Sequence, residues 1–110
     1  RINAEDPETF VPSPGVINKM HPPGGFGVRF DSHIYSGYEV PPHYDSLLAK
    51  IITTANTRQS CIKRMLSALD EFFVDGISTN HSLHQKLLED KTFCDNEHNI
   101  NYLEGSFLEK

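Results

Sequence analysis

Six histidines are the residues of this 110-residue sequence best suited to metal binding or proton transfer. They are His21, His33, His43, His81, His84 and His98. None forms His-x-His or His-x-x-x-His spacing, although His81 and His84 are three apart and share a face if that stretch is helical. The sequence places no carboxylate or cysteine beside them as further ligands. We therefore expect surface or capping histidines and no metal site.

Two other stretches have active-site residue types without the spacing that catalysis needs. His43, Asp45 and Ser46 are the residues of a hydrolase triad, but side chains within four positions of an extended chain cannot face one another. Residues 24–27, GGFG, resemble a phosphate-binding loop, yet they lead into a strand pattern and not into a helix N-terminus. We interpret these glycines as turn residues and expect no triad.

Composition limits the class of protein. A net charge of -5 argues against non-specific binding to nucleic acid or anionic membranes, which requires a basic surface. No apolar run reaches the roughly 18 residues of a membrane span. Cys61 and Cys94 lack zinc spacing, so two reduced thiols are expected in a cytoplasmic protein, with a disulfide as the alternative. The chain begins without Met or a leader pattern, and we expect a fragment of something longer.

The secondary-structure elements that must position these residues begin with strands, in the N-terminal half of the chain. Residues 25–32 alternate apolar Phe26, Val28 and Phe30 with small or charged residues, which predicts a strand with one apolar face. Residues 35–38 predict a turn, and residues 16–20 another short strand. The apolar run 47–52 fits a central buried strand, although periodicity alone leaves a buried helix open.

Helices follow. Apolar residues recur at helical spacing from residue 58 to 74, with Thr57 as the expected N-cap and Gly76 as the C-terminal stop. A second helix is expected from a cap at Thr79 or Asn80 to Glu89. The inward-facing set of the two helices is Ile62, Met65, Leu66, Leu69, Phe72, Phe73, Leu83, Leu87 and Leu88. Strands before helices predict one α+β domain over residues 1–110, a small antiparallel sheet covered by one long and one short helix.

Five stretches of this sequence, in order and without gaps, resemble the C-terminal part of biotin carboxylase. They are residues 1–7 (RINAEDP), 10–15 (FxPSPG), 24–32 (GGxGVRxDS), 44–50 (YDSLLAK) and 75–80 (DGIxTN), where x marks a position that is not part of the match. Among biotin-dependent carboxylases, residues 38–46 (YEVPPHYDS) look most like the biotin carboxylase subunit of bacterial acetyl-CoA carboxylase. Propionyl-CoA, methylcrotonyl-CoA and pyruvate carboxylases are similar enough to remain alternatives.

The resemblance implies the C-terminal subdomain of an ATP-grasp ligase. That family uses ATP, Mg²⁺ and bicarbonate to carboxylate biotin on a carrier protein, the first step of acetyl-CoA carboxylation in fatty-acid synthesis. It implies three partners: the biotin carboxyl carrier protein, carboxyltransferase subunits and a second copy of biotin carboxylase. The family's ATP-binding and N-terminal domains lie upstream, so the 110 residues alone are expected to be inactive and to bind no cofactor.

The resemblance also implies roles for four residues. Arg1 matches the family's catalytic and biotin-binding arginine, which holds the ureido oxygen as negative charge develops on it. Phe26 and Arg29 fall in the region used for the homodimer contact. For Phe26 the alternative is core packing, and for Arg29 a solvated charge. Asp45 is a possible supporting residue that orients an arginine. The competing hypothesis for the whole chain is a non-catalytic α+β interaction module.

Overall fold

The computed structural model describes residues 1–43 and 45–108; Tyr44 of the fourth motif above and the last two residues of the chain lie outside this part. The strands are β1 (Ile2–Asn3), β2 (Gly15–Val16), β3 (Lys19–His21), β4 (Val28–Ser32), β5 (Glu39–Val40), β6 (Leu47–Thr53) and β7 (Phe73–Asp75). The helices are α1 (Arg58–Glu71), α2 (His81–Glu89) and α3 (Lys91–Cys94), followed by a π-helical turn, Leu103–Phe107.

The apolar run that the sequence singled out forms the central strand. β6 lies between β1 and β4 in an antiparallel sheet. This pairing settles the choice between strand and buried helix in favour of the strand. Leu48, Ala49 and Ile51 of β6 are buried. The α+β class is confirmed, but the strands form three small antiparallel sheets: β1-β6-β4, β2-β5 and β3-β7. The expected strand 16–20 is divided between β2 and β3, which have different partners.

The end of the long helix is where the prediction is wrong. Thr57 is its N-cap as expected, and its side chain accepts a hydrogen bond from the Ser60 amide at 3.1 Å. The helix ends at Glu71, however, and residues 73–75 form β7, antiparallel to β3. Pairing with β3 overrides the helical period of the apolar residues. Gly76 follows a strand and therefore is not the helix stop.

The hydrophobic core lies between the β1-β6-β4 sheet and α1. Its buried apolar residues are Ile2, Ala4, Ile17, Val40, Leu48, Ala49, Ile51, Ala68, Leu69 and Phe72. On α2, Leu83 is buried and Leu88 packs against this core. α3 and the π-helical turn follow the two predicted helices. In the described part of the chain, no helix combines the length and apolarity needed to cross a membrane.

Candidate functional site

Arg1 and Asp45, separated by 44 positions, meet beside the N-terminal end of β1. Nη2 of Arg1 donates to both carboxylate oxygens of Asp45, at 3.0 and 2.9 Å, and Nε donates to Asn3 Oδ1 at 3.2 Å. The Leu47 amide, at the start of β6, donates to Asp45 Oδ1 at 3.1 Å. The carboxylate is thus fixed by the central strand, and it fixes the guanidinium in turn.

The electrostatics of this pair favour a charged carboxylate. Hydrogen bonds from the Arg1 guanidinium and then from the Leu47 amide hold the pKa of Asp45 below its usual range. Both side chains are more than half exposed, so solvent screens their attraction and the pair contributes little to stability. Nη1 of Arg1 bonds to no acceptor among the residues that the structure describes. The pair therefore orients a guanidinium and leaves one of its donor groups available.

The main chain of Arg1 is held from the other side, by the first turn of α2. The Arg1 carbonyl oxygen accepts from His84 Nε2 at 2.7 Å and from Asn80 Nδ2 at 3.2 Å. Asn80 Oδ1 accepts from the Asn3 amide at 2.8 Å. Asn80 makes no side-chain capping bond to its own helix, so its expected role as a cap is replaced by contacts with β1.

Phe26 and Arg29 lie on the turn before β4 and on β4 itself. The Phe26 side chain is 98% exposed, so the core-packing alternative is wrong and the alternating face begins at Val28. The Arg29 side chain is exposed and forms a two-bond ion pair with Asp31 of its own strand, with Nη2–Oδ2 at 2.9 Å and Nε–Oδ1 at 3.1 Å. An exposed aromatic residue three positions from an arginine is a composition favoured at protein interfaces.

Comparison with known proteins identifies the family. The biotin carboxylase C-terminal domain family matches residues 1–105. The chain belongs to this family. Biotin carboxylase of Haemophilus influenzae is 60% identical over 104 residues, which are 94% of this chain and 23% of the relative. The chain thus spans about a quarter of the length of the curated relatives it matches.

Other members of the family carry different names. A pyruvate carboxylase subunit of Methanothermobacter thermautotrophicus is 44% identical over 94 residues, 84% of this chain and 19% of the relative. A solved structure of the biotin carboxylase domain dimer of Hydrogenobacter thermophilus 2-oxoglutarate carboxylase, in complex with MgADP, ADP and bicarbonate, superposes with a TM-score of 0.92. The two sequences are 43% identical, and the match covers 94% of this chain and 23% of the 2-oxoglutarate carboxylase chain.

The described residues of this biotin carboxylase C-terminal domain do not fit a Mg²⁺ site. Across residues 1–43 and 45–108, no three His, Cys, Asp or Glu side chains converge in a way that holds a metal ion. The GGFG stretch leads into β4, as expected, and so offers no helix N-terminus to a phosphate. Both cysteines are free thiols, and their sulfurs donate to main-chain carbonyls of Thr53 and Leu88.

The sequence reasoning missed Asn80 and His84 as partners of Arg1. Their positions predict a cap and a surface histidine, since nothing in their spacing connects them to a residue about 80 positions away. His81, one turn before His84, makes the comparable contact with α1: its Nε2 lies 2.5 Å from the Leu69 carbonyl oxygen. Both histidines thus contact main-chain carbonyl oxygens through Nε2. The contact of His84 is made with Arg1, whereas that of His81 is made with Leu69.

Proposed function

We propose that residues 1–110 are the C-terminal domain of a full-length biotin carboxylase, the biotin carboxylase subunit of a bacterial acetyl-CoA carboxylase. The complete protein would work in the cytoplasm as an ATP-dependent ligase that carboxylates biotin on its carrier protein with bicarbonate, before carboxyltransferase subunits use the carboxyl group in fatty-acid synthesis. The 60% identity to the Haemophilus influenzae enzyme supports this assignment. The upstream domains would hold ATP and Mg²⁺.

The observation that carries the proposal is the oriented guanidinium of Arg1. Asp45 and Asn3 accept from Nη2 and Nε, while Nη1 has no acceptor within the described residues. The ureido oxygen of biotin is an acceptor of the kind this donor requires. Biotin supplies a ureido nitrogen that takes the carboxyl group, and negative charge on its oxygen would be stabilised by a guanidinium that stays protonated. Asp45 acts through Arg1 and is a positioning residue.

The test uses the full-length enzyme. Arg1→Ala should lower kcat by about 10²–10³, the usual cost of losing a donor to a developing oxyanion. Arg1→Lys keeps the charge but loses the fork that contacts Asp45 and Asn3, so it should recover only part of that loss. Asp45→Asn should lower kcat with little change in the KM for ATP. Near-normal turnover of Arg1→Ala would refute the assignment of this site.

We further propose that Phe26 and Arg29 belong to the homodimer surface. Support comes from the exposure of Phe26 and from the dimeric 2-oxoglutarate carboxylase domain of the same fold. Full-length protein carrying Phe26→Ala with Arg29→Glu should sediment as a monomer at concentrations where the unmodified protein is dimeric. Ile100, which is equally exposed at 98%, provides the matched control: Ile100→Ala should stay dimeric. A double variant that also stays dimeric contradicts this proposal.

The acceptor of the carboxyl group separates the proposal from a second candidate. Relatives named for pyruvate and 2-oxoglutarate carboxylases favour a keto acid as the alternative. Purified native complex should carboxylate acetyl-CoA, and carboxylation of pyruvate instead would move the chain to that group. An interaction module without an ATP-binding partner domain would show neither activity.

A further inference from the structure

The first turn of α2 directs two side chains at one main-chain atom, the Arg1 carbonyl oxygen. His84 Nε2 lies 2.7 Å from it and Asn80 Nδ2 3.2 Å. The other end of the Asn80 side-chain amide accepts from the Asn3 amide at 2.8 Å, and the Asn80 main-chain amide donates to the Asn3 carbonyl at 3.2 Å. Asn80 is 5% exposed, and a buried side-chain amide with both ends bonded adopts one orientation.

The sheet alone holds Arg1 weakly. β1 is a two-residue edge strand of the β1-β6-β4 sheet, and its register with β6 is irregular between Ile2 and Asn3. Arg1 itself lies before the strand, and its side chain is about half exposed. The contacts with Asp45 and Asn3 orient the guanidinium but do not act on the main chain of Arg1. The position of the Arg1 backbone therefore depends on the bonds from α2.

The chemistry of the His84 contact is defined by its acceptor. A carbonyl oxygen only accepts, so Nε2 must carry the proton. Burial away from water lowers the pKa of His84, which favours the neutral ring. A glutamine places an amide donor close to the position of Nε2 and should replace the bond, whereas leucine keeps the bulk and loses the donor.

We propose that His84 and Asn80 are positioning residues for the biotin-binding arginine: they fix the main chain of Arg1 so that its guanidinium points to the ureido oxygen. This inference rests on the proposed function and adds two residues to it. A misplacement of about 1 Å in a catalytic group can lower the rate by about 10². Neither residue touches the substrate, so the loss should appear in kcat and leave the KM for ATP unchanged.

His81 supplies the matched control. It lies one turn before His84 on the same helix, and its Nε2 contacts the Leu69 carbonyl of α1, so His81→Leu removes a comparable tie without affecting Arg1. In the full-length enzyme, His84→Leu should lower kcat roughly 10- to 100-fold, while His81→Leu stays within about twofold of normal at temperatures where both are folded. His84→Gln should recover most of the loss. Asn80→Asp, which keeps the acceptor for Asn3 but loses the donor to Arg1, should behave like His84→Leu.

A double variant distinguishes action through Arg1 from general damage. With Arg1→Ala already present, His84→Leu should change kcat by no more than about twofold, because no guanidinium is left to position. Equal losses from His84→Leu in both backgrounds, or equal losses from His81→Leu and His84→Leu, overturn the inference while leaving Arg1 catalytic. If Arg1→Ala alone has normal kcat, the proposed function fails first, and this inference fails with it.

Discussion

Replacing Phe72 by alanine should be among the most damaging single changes in this chain. The side chain is 1% exposed and its ring packs 5.8 Å, between centroids, from that of Phe30 on β4. It also approaches the His81 ring edge-on at 5.6 Å. Truncating a fully buried phenylalanine costs about 3–5 kcal/mol, the sum of lost transfer free energy and the cavity left behind. Against a total stability of about 5–15 kcal/mol, that is a large fraction.

Phe73 is the matched control: it is the same residue type and continues the apolar pattern of α1 in the sequence, but it lies in β7 and is 47% exposed. Phe73→Ala should cost about 0.5–1.5 kcal/mol, because roughly half of the burial is absent. In urea, followed by far-UV circular dichroism, Phe72→Ala should lower the midpoint by about 1.5–2.5 M at a slope near 2 kcal/mol/M. Equal midpoint shifts for the two variants would refute the assignment of helix end and strand in this region.

Three further predictions concern local features. Gly76 has φ of +110°, and a Cβ there would fall on the Val16 carbonyl oxygen, so Gly76→Ala should cost at least about 1–3 kcal/mol in the same urea experiment; a neutral result would contradict the described backbone. Burial lowers the pKa of His84 below its usual 6.5, so the unfolded chain binds the proton first and the free energy of unfolding should fall as pH drops below about 6.5. His84→Leu should remove that part of the slope in thermal melts between pH 7.5 and 5.5, and an unchanged slope would argue against a lowered pKa of His84. Thr57→Ala should lower stability by about 0.5–2 kcal/mol through loss of the N-cap bond, whereas an unchanged melting temperature would show that the cap contributes nothing.

Local signals in the sequence predicted the elements whose structure depends on near neighbours. The apolar run 47–52 favoured the strand that became β6, with a buried helix left open, and Thr57 predicted the start of α1, because burial pattern and capping act within a few residues. The turn at 35–38 also formed, with the Tyr38 amide bonded to the Tyr35 carbonyl at 3.0 Å. These features can be predicted without knowing which distant residues pack against them.

Elements that depend on distant pairing could not be predicted in this way. Phe73 continues the helical period of α1, yet its backbone pairs with His21, 52 positions earlier. Nothing in the local pattern shows that pairing with β3 is more stable here than a longer α1. The same holds for the site. The resemblance suggested that Asp45 orients an arginine but did not say which one, and the contacts of Arg1 with Asp45 and His84 join residues 44 and 83 positions apart.

The long separation between β1 and its partners has a consequence for the order in which the domain is made. β1 leaves the ribosome before the other elements of this domain, but its contacts with Asn80 and His84 need α2, which is synthesised 77 to 83 residues later. Contacts between residues so far apart form only after the loop between them has closed, which has an entropic cost. On the proposed role of His84 and Asn80, the main chain of Arg1 is fixed only once α2 has been made. Nascent chains that stop before α2 would carry Arg1 without a positioned site.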